Sequence, residues 1–175
     1  MVDRGRLSRR RLLANLASGG ALVALAGCAE RNSGTEAETD ANGTESEPPA
    51  DDDLDLREAN VVDVGCEATD GGYAFDVTLH HDDDGEEGYA NWWQIERLDG
   101  TRLGRRELLH AHSEQPFTRS ATVAIPDNIV QVVVRGHDQT HGYGGVAALV
   151  AIDDESVRFI NQGPEPRSFD AEDFS

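Results

Sequence analysis

The sequence predicts an all-β fold, an immunoglobulin-like antiparallel β-sandwich of about seven strands, and three observations support this prediction. The stretch 72–80, GYAFDVTLH, alternates apolar and polar residues with the period of a half-buried strand. Turn-forming groups such as TDGG, DDDGEEG and PDN separate short runs of this kind. Within the domain, no window of helical length shows a convincing 3.6-residue period, so we expect strands throughout.

The other predicted strands follow the same reasoning along the chain. One of Trp92 and Trp93, on the third strand, should fill the core as the strand-C tryptophan of immunoglobulin-like domains does. Cys66 lies in an alternating strand with Val62 and Val64 on its face, which favours a small buried apolar side chain. The predicted strands besides GYAFDVTLH are NVVDVGCEA, NWWQIERL, ELLHAH, SATVAIP, IVQVVVRG and VAALVAI.

The composition divides the chain into a leader (1–27), an acidic tether (28–54), the sandwich domain (55–155) and a flexible tail (156–175). Residues 29–53 contain nine acidic residues, one Arg and no Val, Ile, Leu or Phe. Such a segment cannot bury enough apolar surface to fold, so we expect a disordered spacer. The tether also contains NGT, which makes Asn42 a candidate glycosylation site.

The leader carries two export motifs. The stretch SRRRLL, which contains Arg9 and Arg10, resembles a twin-arginine export signal, and LAGC at 25–28 resembles the lipobox of exported lipoproteins. The resemblance implies that Cys28 is lipidated and that the folded domain is anchored at the extracytoplasmic face of the cell membrane. The apolar run is too short and interrupted for a spanning helix of about 20 residues, and an uncleaved N-terminal anchor is the alternative.

The charge of the chain indicates its solvent and excludes some partners. The formal net charge is −19, and all 15 basic residues are Arg. Because the first 27 residues carry five Arg and one Asp, residues 28–175 carry −23. Molar salt, with a Debye length of about 3 Å, would screen this repulsion, and the composition resembles that of proteins from halophilic archaea. A nucleic-acid partner is disfavoured, and an acidic surface that collects cations is the competing interpretation.

Two pairs of histidines predict a possible metal site. If ELLHAH is a strand, His110 and His112 point the same way, with Cβ atoms about 7 Å apart. His137 and His141 flank DQT at the end of a valine-rich strand, and four imidazoles suit copper or zinc. The candidate metal ligands are therefore His110, His112, His137 and His141, with Asp138 and Glu114 as accessory groups.

Alternatives to the metal site stay open. A blue-copper site is disfavoured because the mature chain has no Met and Cys66 precedes the histidines. The segment HDQTH could instead shape a turn through side-chain hydrogen bonds. His80 and His81, beside DDDGEE, are interpreted as ordinary polar residues of a turn.

Two further functional hypotheses use other residues. An Arg-rich face could dock an acidic envelope partner, which would make the chain a metal-free interaction or structural module; internal pairing of these arginines with Asp and Glu is the alternative. A hydrolase using Ser113 or Ser120 lacks a nucleophile-elbow sequence, so enzyme activity is disfavoured. We expect the domain to be monomeric. The candidate docking residues are Arg105, Arg106, Arg119 and Arg135.

Two segments carry a family resemblance. RELLHAHSEQPFTRS (106–120) and RGHDQTHGYGG (135–145) resemble a family of small secreted proteins and lipoproteins with the pattern LLHxH…EQPFTRS…RxHDxxHGYGG. The present sequence is one residue shorter between its second His and the Glu. The resemblance supplies no reaction, so it assigns no catalytic residue.

Overall fold

The computed structural model describes residues 47–83 and 85–174. Within them the chain forms eight β-strands, and buried and exposed residues alternate along several of these strands. The leader with Arg9 and Arg10, the lipidation site Cys28, and Asn42 lie outside the described residues. Short 3-10 turns occupy Asp51–Asp53 and Ala171–Phe174. The strands are β1 (Asn60–Thr69), β2 (Gly72–His80), β3 (Ala90–Glu96), β4 (Arg102–Glu107), β5 (Phe117–Val123), β6 (Gln131–Asp138), β7 (Val146–Ala151) and β8 (Val157–Asn161).

The strands form two antiparallel sheets. One sheet has the order β1-β2-β5 and the other β4-β3-β6-β7-β8. Apart from β8, this is the arrangement of strands A-B-E and C′-C-F-G in immunoglobulin-like sandwiches. The prediction of an all-β, two-sheet antiparallel sandwich is therefore confirmed, with eight strands instead of about seven.

The core lies between the inner faces of the two sheets. Trp93 is 0% exposed and packs there with Phe75 and Ile95, which confirms the prediction of a core tryptophan on the third strand. Trp92 points to the opposite, outer face, as the alternation of a strand requires. Cys66 is buried and free, and burial raises the pKa of its thiol to about 11, as expected for an apolar structural role.

One predicted strand is wrong in its position along the chain. ELLHAH was expected to form a strand, but β4 ends at Glu107 and the next residues form a loop. The polar stretch RLGRRE pairs with β3 instead, at the edge of its sheet, where charged residues also protect the exposed edge from pairing with other chains. Leu108 is 4% exposed and anchors the loop to the core, while Leu109 is 81% exposed.

The predicted tail also requires correction. Val157–Asn161 pairs with β7 as β8, and the domain therefore extends beyond residue 155. Phe169 is buried against the outer face of the five-stranded sheet, beside Val133 and Leu149. Its amide donates a hydrogen bond to Leu98 O at 2.8 Å, which fastens the C-terminal segment to the β3–β4 turn. Among the described residues, none of the helices has the length and apolar character needed to cross a membrane.

The registers bring several loops to one end of the sandwich. The pairs Asn60↔His80 and Leu79↔Phe117 place the start of β1, the end of β2 and the start of β5 together. Ala90↔Asp138 places the start of β3 beside the end of β6. We call this region, with the segment before β1 and the β2–β3, β4–β5 and β6–β7 connections, the loop end. In immunoglobulin variable domains the equivalent B–C and F–G loops bind antigen.

Candidate functional site at the loop end

A buried histidine lies at the centre of the loop end. His81 follows β2 directly and is 1% exposed. Its Nδ1 lies 2.7 Å from Asp83 Oδ1, and its Nε2 donates to Arg57 O at 3.1 Å. The ring thereby joins the segment before β1 to the β2–β3 connection.

His81 has a partner for either protonation state. The charged ring donates from Nδ1 to Asp83 Oδ1, whereas the neutral ring can accept at Nδ1 from Asp83 N, 2.8 Å away. Burial opposes the charge, but the hydrogen bond to Asp83 and the negative charges of Asp83, Asp138 and Asp82 outweigh it and raise the pKa of His81. The folded protein therefore favours the imidazolium form of His81 more strongly than water does.

Asp83 connects the two sheets. Burial disfavours its charge, but hydrogen bonds from His81 and from the amides of Ala90 and His112 lower the pKa of its carboxyl. The Ala90 amide donates to Asp83 Oδ1 at 3.0 Å. On the other oxygen, Oδ2, the His112 amide donates, and His112 Nδ1 lies 3.2 Å away. One carboxylate therefore ties the β4–β5 loop to the start of β3 and to His81.

Asp138, at the end of β6, uses only one of its two carboxylate oxygens in hydrogen bonds. Oδ1 accepts from the backbone amides of Thr140, at 2.8 Å, and His141, which shapes the β6–β7 turn. Oδ2 is buried and has no hydrogen-bond partner. His81 Nε2 lies 3.3 Å from it, but that N–H is directed at Arg57 O. A buried acceptor is thus left without a donor, which is uncommon and costly in folded proteins.

A cleft opens beside this acceptor. Its volume is about 380 Å³, within the range of small-molecule sites. Thr140 Oγ1 donates to Glu87 O at 2.7 Å, so a hydrogen bond between two lining residues joins the β2–β3 and β6–β7 connections. We call it the loop-end cleft; its lining residues are Arg57, His81, Asp82, Glu87, Gly88, Asp138, Thr140 and His141.

The structure does not gather the four predicted metal-ligating histidines around one point. His110 is exposed, and its ring lies 4.9 Å from that of His112, which stacks on Phe117. His137 stacks on Trp92 at the outer face of the other sheet, and His141 is an exposed residue of the cleft.

The hydrogen bonds, pKa shifts and exposure of the predicted metal ligands also fit roles other than metal binding. Nδ1 of His137 donates to Asn91 Oδ1 at 2.8 Å, and burial lowers the pKa of both His137 and His112. Glu114 is exposed in the β4–β5 loop. Within residues 47–83 and 85–174, no group of three or more His, Cys, Asp or Glu side chains is placed to hold a metal ion.

The candidate docking arginines do not share one surface. Arg135 is 0% exposed, because the C-terminal segment covers the outer face of its sheet. Arg105 lies over the Trp92 ring at 3.8 Å and bonds to Gln94, whereas Arg106 is exposed on the other face of β4. Arg119 belongs to β5 in the other sheet.

The outer face instead holds a closed polar network. Arg135 Nε lies 2.9 Å from Glu96 Oε2 in an ion pair whose geometry is not that of a hydrogen bond, and both side chains are buried. The guanidinium also donates to Arg167 O at 2.9 Å and to Gln162 Oε1 at 3.4 Å. Glu96 further accepts from Gln94 Nε2. The alternative expectation of internal ion pairing is the one that describes Arg135.

The central residues of the site escaped the sequence analysis. His81 and Asp83 sit in HHDDD, an acidic stretch that resembles a solvated turn. The only signal in the sequence is the position of His81. It directly follows His80, which is the last residue of the polar face of β2. That signal does not reveal the contact with Asp138, which is 57 positions away in the sequence.

One protein in the comparisons resembles the chain closely. Over 141 residues the chain is 58% identical to a protein of the halophilic archaeon Halomicrobium mukohataei that bears the name "Putative lipoprotein". The match covers 78% of this chain and 70% of that protein. No protein-family model matches the chain. No solved structure matches it either.

Proposed function

Because the chain belongs to the same family as the Halomicrobium mukohataei lipoprotein, we propose that it is a lipid-anchored, extracytoplasmic module that binds a small solute in the loop-end cleft. The lipid would be carried by Cys28 after export through the twin-arginine signal. The observation that supports a binding role is the buried Asp138 Oδ2, an acceptor without a donor at the wall of a cleft. A ligand that supplies a donor would remove the cost of leaving this oxygen unpaired.

The loop end is also built for a preformed site. His81 and Asp83 fix the positions of four chain segments through bonds that are shielded from solvent. Side chains held in this way lose little further freedom when a ligand binds, which lowers the entropic cost of binding. The cleft would then distinguish between ligands by their charge and by their hydrogen-bonding groups.

A thermal-shift screen tests the proposed function. The mature lipidated protein, in detergent and molar KCl, is heated with ethanolamine, acetate, inorganic phosphate or glycerol. A ligand at a hundred times its Kd stabilises the folded state by about 2.7 kcal/mol, so at least one solute should raise the Tm.

A cleft-filling variant localises the effect. Gly88 has no left-handed backbone strain, and a Cβ there meets Thr140 Oγ1 at 3.6 Å, so Gly88→Leu should fold and occupy the cleft. Gly71→Leu, at the opposite end, is the matched control, because its Cβ would lie 3.9 Å from Thr122 Cγ2. Loss of the Tm shift in Gly88→Leu alone supports the proposal. If none of the solutes shifts the Tm, or if Gly88→Leu responds like wild type, the proposal fails.

The copper or zinc site at His110, His112, His137 and His141 remains a prediction without support from the described residues. Elemental analysis by mass spectrometry of the protein, purified in high salt without a histidine tag, tests it. About one equivalent of metal that is lost in His110→Ala/His137→Ala would establish that site. Docking of an envelope partner through Arg105, Arg106, Arg119 and Arg135 loses its main premise, since Arg135 is buried.

A further inference from the structure

We propose that the loop-end cleft selects a small solute that carries a primary ammonium group, with the ammonium nitrogen bound at Asp138 Oδ2. This inference rests on the proposed function and names the chemical class of its ligand. It depends on three features of the cleft: an unused buried acceptor, an excess of negative charge, and a lack of free positive groups.

The acceptor needs a donor from outside the protein. Asp138 is 0% exposed, and both of its backbone-directed bonds use Oδ1. The nearest donor to Oδ2, His81 Nε2, has a single proton and directs it to Arg57 O. A ligand N–H at hydrogen-bonding distance would satisfy Oδ2 with a charge-assisted bond, roughly twice as strong as a neutral one.

The charges around the cleft favour a cation. Asp82, Glu87 and Asp138 line it directly, against the charged groups of Arg57 and His81. The two positive groups are already paired, because Arg57 forms two bonds to Asp55 and His81 bonds to Asp83. Neither of these two cations is therefore unpaired, whereas the carboxylates of Asp82 and Glu87 are exposed.

An ammonium group fits this site better than an alkali-metal ion does. In molar salt, K⁺ competes for any exposed carboxylate by charge alone, and screening weakens undirected attraction. An ammonium carries three N–H donors, so it can bond to Oδ2 and keep two donors for other acceptors. A quaternary ammonium has charge but no N–H, and a neutral alcohol has a donor but no charge. Both features should be required.

Calorimetric titration of the mature protein in molar KCl tests the inference. Ethanolamine should bind, choline should bind at least about tenfold more weakly, and ethylene glycol should give no signal. Vesicles with phosphatidylethanolamine, compared with phosphatidylcholine vesicles, form a second arm. Binding of free ethanolamine indicates a soluble ligand, and binding only to the phosphatidylethanolamine vesicles indicates a lipid headgroup; either supports the ammonium assignment.

Three substitutions locate the binding. In Asp138→Asn the side-chain carbonyl can still accept from the amides of Thr140 and His141, so the turn is kept while the unused acceptor becomes a donor. We expect ethanolamine binding to fall on the order of tenfold to a hundredfold. Glu87→Gln, at an exposed residue that lines the cleft, should weaken it about twofold to fivefold. Glu86→Gln, in the same loop but outside the cleft, is the control and should change nothing.

The outcomes separate this inference from the proposed function. Wild-type affinity in an Asp138→Asn variant with an unchanged Tm overturns the ammonium assignment, as does equal binding of choline and ethanolamine. If acetate, phosphate or glycerol stabilises the protein and Gly88→Leu abolishes that effect, the cleft binds solutes but not through an ammonium group. If no solute acts, both the inference and the proposed function fail.

Discussion

Within the part of the chain that the structure describes, charge is buried in two places, and the two differ in whether another segment of the chain covers them. On the outer face, Arg135 and Glu96 contact each other at 2.9 Å, and the segment containing Arg167 and Phe169 covers them. At the loop end, His81 and Asp83 are hydrogen-bonded, but Asp138, which lines a cleft, has a buried oxygen without a hydrogen-bond partner.

This difference separates a structural role for buried charge from a binding role. A covered ion pair contributes to specificity of packing, and breaking it costs stability. A buried charge beside a cleft keeps unsatisfied bonding capacity, which a ligand can use. Perturbing the outer-face pair should therefore mainly change stability, whereas perturbing Asp138 should mainly change binding.

The largest effect is expected from Arg135→Met. The substitution leaves Glu96 buried without its counter-ion and should reduce the free energy of unfolding by about 3–5 kcal/mol. Urea denaturation at constant KCl measures it. The double variant Arg135→Met/Glu96→Leu should recover most of the loss, because no charge then remains unpaired. A loss below about 1 kcal/mol in the single variant would contradict a closed structural pair.

The next effect is expected from Phe169→Ala. Phe169 packs on Val133, Ala147 and Leu149, and its removal should cost about 2–3 kcal/mol of unfolding free energy. Leu109→Ala, at a side chain that is 81% exposed, is the matched control and should change stability by less than about 0.5 kcal/mol. Equal effects of the two substitutions would show that the C-terminal segment does not cover the outer face.

At the loop end, the pH dependence of stability should depend on His81. Its pKa is raised in the folded state above the usual 6.5, so its stabilising contribution is complete below about pH 6.5 and is lost as pH rises through the folded-state pKa. Burial lowers the pKa of His112 and His137, so these two residues change stability only below that window. Urea denaturation from pH 6.5 to about pH 8, below the range in which the thiol of Cys66 ionises in the unfolded chain, measures the slope.

The control variant for this pH dependence is His110→Gln. We expect stability to fall with pH in the wild type and in this control, whose exposed ring lies against Ala111 O and the His112 ring. The slope should disappear in His81→Gln. An identical slope in His81→Gln and the wild type would show that His81 is not the group responsible.

The smallest effect is expected from Arg105→Ala on the outer face. The guanidinium lies over Trp92 at 3.8 Å and donates to the buried Gln94, and losing both contacts should cost about 1–2 kcal/mol. Because the substitution uncovers the indole, the tryptophan emission should shift to longer wavelength. Arg106→Ala, on the other face of the same strand, should leave both stability and emission unchanged, and a matching shift there would contradict the stacking role.

The sequence predicted the features that local patterns determine. Alternation identified β2 and placed one of Trp92 and Trp93 in the core, because one face of a strand must be apolar. It failed for β4, whose polar edge residues follow no such rule, and for β8, a short strand that depends on pairing with β7. The loop-end site was beyond local reasoning, since the contact of His81 with Asp138 exists only after both sheets have formed.

The positions of the histidine and arginine side chains could not be predicted for a related physical reason. His110 and His112 were expected to point the same way on a strand, but the strand ends at Glu107, so that geometry does not apply. The arginine near the end of β6 was expected at a surface, but burial there is decided by the distant C-terminal segment. Residue type indicated the chemistry available, and tertiary contacts decided which groups remain free to use it.

The most direct test is a crystal structure of the protein in molar KCl after soaking with ethanolamine. We predict a nitrogen within hydrogen-bonding distance, about 2.7–2.9 Å, of Asp138 Oδ2, with His81 and Asp83 unmoved. An empty cleft, with Oδ2 bonded to water or to a donor of the protein itself, would contradict the claim that Asp138 is the open side of a binding site.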